Sequence, residues 1–414
     1  MPFAPKSLAF LATFTALASS ATATGLDWPQ WRGPDHSGVS QETGLLKAWP
    51  AGGPKRVWLF ENAGHGYSGP AIAGGKYFTI GTRDGSEILL ILDADTGKEI
   101  LAAKIGGILD NDWGDGPRGT PAVDADRVYA LSGRGDLACL NIADGKILWK
   151  TSMEKLGGSR PNWGYTESVI VDGNKVLCTP GGPKGTVAAL DKLTGKVLWQ
   201  SKGITEPAHY SSIVPATING TPQYVQRNEK SIFGLAATDG RVLWQTDFPG
   251  RTAMIPTPIV SGNEVYVTAG YGTGCKMVRI EPDNKVTVVY ENKVAKNHHG
   301  GFVKIGDYLY GHGDPAWVCQ NFKTGEEVWS SRNFTKGAIG AAEGMLYCLE
   351  ERTGNVALVE ASPTGWKESG RFKLDPQTKI RSSRGAVWTH PVIANGKLYL
   401  RDQDLIYCFD IKAP

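Results

Sequence analysis

Little in this 414-residue chain reads as helical. Heptad patterning is absent, which excludes coiled coils, and there is no low-complexity tract. Six cysteines are present, yet none form Cys-x-x-Cys-His or a zinc-binding spacing, which excludes a c-type haem and a zinc finger. No two cysteines are adjacent. Cys139, Cys319 and Cys408 instead recur in Ala-Cys-Leu-Asn, Val-Cys-Gln-Asn and Tyr-Cys-Phe-Asp, a core slot for a small hydrophobe. A basic excess is lacking too: 44 Lys and Arg face 41 Asp and Glu, so nucleic acid is not expected as a partner. Beyond the first segment, no apolar run is long enough to span a bilayer as a helix.

That first segment reads as targeting. Lys6 precedes an apolar run from Ser7 to Ala18, and Ala21-Thr-Ala23 has the small-x-small form of a cleavage site. A signal peptide over 1–23 is expected, with no lipobox cysteine after it, so the mature chain should be periplasmic or secreted. Residues 24–52 are expected to form an N-terminal clasp, with Trp28 and Trp31 docking on the fold that follows.

What is present is a repeat. Asp144-Gly-Lys-Ile-Leu-Trp149, Thr194-Gly-Lys-Val-Leu-Trp199, Asp239-Gly-Arg-Val-Leu-Trp244 and Thr324-Gly-Glu-Glu-Val-Trp329 are its clearest copies. Between them lie strand, small-residue turn and strand, with anchors from Phe78 to Tyr399 at a mean step of about 46 residues. That step fits propeller blades. The expected fold is all-β: an eight-bladed β-propeller of four-stranded antiparallel blades over residues 53–414. After Tyr399 only one more strand remains, and Gly53-Pro-Lys-Arg-Val-Trp58 resembles the missing last one. An N-terminal strand should therefore complete the last blade and remove a sheet edge.

Lettering each blade's strands A to D from the channel outwards, antiparallel alternation puts the D-to-A and B-to-C connections on one face. The repeated Gly turns fall on the other. The D-to-A loops hold Trp113, Asp115, Arg118, Asn162, Trp163, Tyr165, Glu167, His209, Tyr210, Arg251, His298, His299, Lys336, Arg384, Trp388 and His390. Five of the seven histidines lie there. Polar and aromatic groups gathered around one mouth make a ligand site for a small polar molecule. Glu167 stands out as a candidate cation ligand or general base, since Asp115 is one of few other acids there. His298 and His299 are adjacent, so on a strand they point opposite ways and make a weak metal pair.

The repeat resembles the PQQ-like β-propellers, which include quinoprotein alcohol dehydrogenases and the BamB assembly factor; the likeness covers about residues 53–410. With its Trp-Pro-Gln-Trp-Arg-Gly-Pro start, the chain is similar to the exported PQQ-binding-like repeat proteins of planctomycetes. That resemblance implies PQQ and Ca²⁺ as cofactors. It implies Trp113, Trp163 or Trp388 as the platform for the quinone, and Arg118, Arg251, Lys336 or Arg384 for its carboxylates. Glu167 and Asn162 would hold Ca²⁺, and Asp115 would take the alcohol proton. Tyr165, His209, Tyr210, His298, His299 and His390 would complete the binding ring. Three functions stay open: a PQQ-dependent alcohol or sugar dehydrogenase, a BamB-like scaffold with an envelope protein partner, or a carbohydrate-binding propeller. In each a monomer is expected.

Overall fold

The computed structural model describes Met1 and residues 27–414, so the cleavage site expected near Ala23 lies outside the described residues. Eight four-stranded antiparallel blades follow one another along the chain to form an eight-bladed propeller, seven of them from consecutive strands and the eighth completed by a strand from the N-terminal side. In the first blade, strands A to D are Ala71–Ala73, Lys76–Arg83, Ser86–Asp93 and Glu99–Gly107. In the eighth, Val392–Ala394, Lys397–Asp402 and Leu405–Asp410 are joined by Arg56–Phe60. Trp58 pairs opposite Cys408, so the expected strand closes the ring.

The repeat motif builds an outer belt. A bulge interrupts the C–D pairing in every blade, as between Ile147 and Trp149. It turns the motif's Trp towards the next blade. There the ring lies over the next Gly turn: a β-carbon at Gly195 would sit 2.6 Å from the Trp149 ring, and one at Gly97 2.6 Å from Trp58. Both glycines also have φ near +70°, which a side chain disfavours. Indole N–H groups are satisfied across the same joint, Trp149 to Lys192 O at 2.9 Å and Trp58 to Ala94 O at 3.1 Å. Glycine is thus required twice over, by the turn and by the neighbour's ring.

Inside the blades, the recurring Tyr of strand B faces the recurring Cys of strand C: Tyr129 pairs with Cys139, Tyr310 with Cys319 and Tyr399 with Cys408. All six cysteines are free and buried, as the core-slot reading expects.

The segment before the closing strand does more than clasp. Trp28 bridges to Ile72 on the inner strand of blade 1, and Pro29 O accepts from Val123 of blade 2. Gln30 accepts from Val171 of blade 3, and Arg32 donates to Phe302 O of blade 6 at 2.8 Å. Val39–Ser40 then adds in parallel to Gly337–Ala342, the inner strand of blade 7. Bonding to the inner strands of five blades, this segment lies in the central channel as a plug. Trp28 docks in the core as expected, whereas Trp31 turns towards the mouth, its Nε1 donating to Thr257 Oγ1 at 2.9 Å.

Candidate functional site

The D-to-A loops are extended as they approach strand A, so alternate residues face the channel. Thr166 and Ser168, Tyr210 and Ser212, His299 and Gly301, and Trp388 and His390 line the cavity at this spacing of two, with Pro256 and Thr389 reaching it between such positions. Neighbouring loops hold one another: Ser168 N donates to Ser212 Oγ at 2.9 Å, Thr120 N to Ser168 Oγ at 2.9 Å, and Tyr67 N to Pro117 O at 2.8 Å. The result is a fixed ring around a cavity of about 90 Å³, opening to about 800 Å³ of free space when its mouth is counted.

Six residues singled out from the sequence line this cavity: Trp113, Arg118, Tyr210, His299, Trp388 and His390. Trp388 stacks on His299 with centroids 4.5 Å apart and planes at 19°. Arg118 spans to Trp163 O at 3.2 Å and Gly114 O at 2.9 Å, and its guanidinium lies 5.2 Å over the Tyr67 ring. Its Nη1 is buried with no hydrogen-bond partner among the described residues, and the same holds for His299 Nδ1 and Trp163 Nε1. Tyr67 and the plug residues Trp31 and Arg32 also line the cavity. Trp31 packs edge-on against His390 at 4.9 Å. Arg32 is buried, with its other bonds to the carbonyls of His36 and Ser37.

The charge of the cavity is set by burial. Burial pushes His390 and His209 down to about 4, His298 down to about 3, and His299 well below the usual imidazole value. All four are neutral at pH 7. Burial also lowers Arg32, to about 10, which leaves it charged. None of the lining residues is Asp or Glu. The cavity is therefore aromatic and cationic.

Other expected residues stand elsewhere. Trp163 is behind the lining, its ring 5.7 Å from Tyr210 and 5.5 Å from His209. His298 and Lys336 are at the rim, 2.9 Å apart. Arg384 is exposed, 5.8 Å over Trp113 and 3.1 Å from Asp112; Arg251 is exposed. Tyr165 is a core residue whose hydroxyl donates to Pro180 O. Asp115 caps a turn by accepting from Asn111 N at 2.9 Å.

Glu167 departs most from its expected role. Standing between the inward-facing Thr166 and Ser168, its side chain points into blade 3, where Thr179 N and Thr179 Oγ1 both donate to it. It is fully buried, and burial pushes it up to about 7 against those two bonds. Asn162 is on an exposed turn, its carbonyl taken by Asn111. The two are not brought together as a cation site, and no three of His, Cys, Asp and Glu gather around a metal position among the described residues.

A family described as "Outer membrane protein assembly factor BamB" matches residues 86–331. The assembly factor BamB of Yersinia pestis is 22% identical over 362 residues, covering 79% of this chain and 82% of that protein. The crystal structure of BamB from Moraxella catarrhalis is similar at TM-score 0.59 and 14% identity, over 86% of this chain and 99% of that one. The quinohemoprotein alcohol dehydrogenase of Comamonas testosteroni is similar at TM-score 0.62 and 11% identity, over 95% and 82%. At such identities the two structures speak for the fold alone.

Proposed function

This chain belongs to the family described as outer membrane protein assembly factor BamB, the PQQ-like propellers, and from that premise we propose that it binds a small planar organic anion at the mouth of its channel. The observation that carries this reading is the cavity lined by the aromatic cluster of Trp388, Trp113 and Tyr67 and by Arg118, whose buried Nη1 has no partner among the described residues. An unsatisfied buried guanidinium N–H costs free energy that an anionic ligand oxygen removes. Flat aromatic walls favour a flat ligand.

The lining suits one implied cofactor in part and the other not at all. A quinone with carboxylates matches the aromatic walls and Arg118, and when bound would supply hydride-accepting chemistry. Trp388 and Trp113 would orient its plane, and Arg118 would hold a carboxylate oxygen. Ca²⁺ needs several oxygen ligands, and the lining offers no carboxylate for it and none to take an alcohol proton. Binding is therefore the reading, with alcohol or sugar dehydrogenation as the alternative outcome.

The test is calorimetric titration of the purified chain with pyrroloquinoline quinone and with isophthalate, with and without Ca²⁺. Micromolar, Ca²⁺-independent binding is expected. No heat from either ligand would refute the reading, and Ca²⁺-dependent dye reduction with alcohols would replace it with the enzyme. Export belongs to the same reading: the secreted chain should begin at Thr24 by intact-mass measurement and run as a monomer on size exclusion. Exposed Ile147, Leu148, Leu193, Val197 and Leu198 form an apolar stretch on the outer edge of blades 2 and 3, which favours a protein partner as a second reading. Envelope pull-downs with and without Leu198→Glu test it.

A further inference from the structure

Tyr271 holds a backbone conformation that tyrosine rarely adopts. Its φ is +55°, in the left-handed region, between two glycines in the B-to-C loop of blade 5. A glycine there would carry no strain, so a tyrosine held in such a position points to a use for that side chain. The ring is about half exposed and stands edge-on to His298, with centroids 4.7 Å apart.

The hydroxyl of Tyr271 begins a chain of polar contacts around one quadrant of the mouth. Tyr271 Oη is 2.6 Å from His298 Nε2, and His298 Nδ1 is 2.9 Å from Lys336 Nζ. Lys336 lies 3.8 Å from Glu351, and Glu351 accepts from Trp388 Nε1 at 3.2 Å. Trp388 lines the cavity, as does His299, whose ring is 3.9 Å from that of His298. Residues from blade 5, blade 7 and three D-to-A loops thus connect the cavity wall to its rim.

Donor and acceptor counting gives this chain a direction. An ammonium has only donors, so Lys336 donates to His298 Nδ1. A neutral imidazole that accepts at Nδ1 carries its proton at Nε2, so His298 donates to Tyr271 Oη. Burial keeps His298 neutral, at about 3, and the Lys336 charge adds to that effect. Tyr271 Oη is therefore an acceptor towards His298, and on this half-exposed ring its own O–H has no acceptor among the described residues. Polarisation along the series strengthens that donation.

We propose that Tyr271 is a ligand-binding residue of this mouth: its hydroxyl, oriented by His298 and Lys336, donates to a carbonyl or carboxylate oxygen of an anion that extends from the cavity over His299. This rests on the cavity being the binding site, and it adds the ligand's reach. The preferred ligand carries a second oxygen-bearing arm beyond the part held between Trp388 and Arg118. His298 and Lys336 act as positioning residues.

Two probes of different reach test this. Pyrroloquinoline quinone is long enough to leave the cavity, and isophthalate is not. A hydrogen bond to a charged oxygen is worth about a factor of ten in affinity. Tyr271→Phe is therefore expected to loosen the quinone about tenfold and leave isophthalate unchanged. Lys336→Met should loosen the quinone in the same selective way, because an unpolarised His298 no longer fixes the donor direction. Equal quinone affinity in wild type and Tyr271→Phe, with isophthalate still bound by both, would overturn the assignment of Tyr271 and leave the cavity reading standing. Failure of both probes to bind wild type would overturn the cavity reading and this inference with it. Near-ultraviolet circular dichroism of each variant, unchanged from wild type, confirms that a loss reflects the missing contact.

Discussion

Trp149 on the outer belt and Trp163 at the mouth carry the same indole N–H, and only the first has a partner. Trp149 donates to Lys192 O in the next blade, and Trp58 and Trp329 find carbonyls in the same way. Arg118 Nη1 and His299 Nδ1 in the cavity lining, and Trp163 Nε1 just behind it, are buried without one among the described residues. Trp199 and Trp244 are the belt's exceptions: Trp199 N–H is unpartnered over Gly240, and Trp244 donates to Gln223 Oε1 of its own blade. The contrast teaches where stability and function part. The belt repeats, closes on itself and, at Trp58, Trp149 and Trp329, uses its indole hydrogen bonds between blades. The mouth does not repeat, and there Arg118 lines the cavity with an Nη1 that no protein group among the described residues takes, which is the condition for taking a ligand.

The largest effect should come from the belt. Gly195→Ala forces a β-carbon to 2.6 Å from the Trp149 ring at φ +70°. Overpacking and backbone strain together are expected to cost about 3 kcal/mol in urea unfolding. Gly173→Ala has a similar φ of +57° but nothing within 4 Å, and should lose only about 1 kcal/mol. Equal losses at the two glycines would break the claim that the indole, and not the turn alone, requires glycine.

Glu167 sharpens the comparison next, because it is a mouth-layer residue spent inside a blade. Its value is raised from 4.5 to about 7 in the fold, so the folded state holds its proton more tightly than the unfolded state. Its stabilising contribution is present below about pH 4.5 and is lost as pH rises through about 7. Glu167→Gln should therefore gain on wild type between pH 5 and pH 8, by up to about 3 kcal/mol. Urea midpoints at four pH values read this directly. A constant gap would mean that the carboxyl does not titrate in that window.

Arg118→Met comes third. It should lower affinity for isophthalate by about 2 kcal/mol, roughly thirtyfold, with little change in unfolding. The reverse pattern, lost stability with unchanged affinity, would make Arg118 a strut between loops.

Much of this is legible in the sequence. The Gly-x-x-x-Trp copies carry strand order in a short motif, because a turn glycine and a neighbour's indole constrain each other. Strand order then put Trp113, Arg118, Tyr210, His299, Trp388 and His390 on one face. The inward side of each loop was harder to read. Thr166 and Ser168 face in and Glu167 faces out because the loop is already extended there, so a count by twos back from strand A would have found it. The plug was not legible, since Trp31 and Arg32 belong to no repeat and reach the cavity only through bonds to distant blades. Tyr271 was hidden for a related reason: its signal is a backbone angle, and nothing in Gly-Tyr-Gly distinguishes a strained tyrosine from an ordinary loop residue.

The central claim is that ligand goes to the unpartnered mouth and not to the belt's apolar edge. A crystal soaked with iodinated isophthalate tests it by anomalous scattering. One strong iodine peak is expected in the cavity lined by Trp388, Trp113 and Tyr210, with a carboxylate on Arg118 Nη1. Peaks confined to the outer edge near Leu198, with none at the mouth, would contradict it.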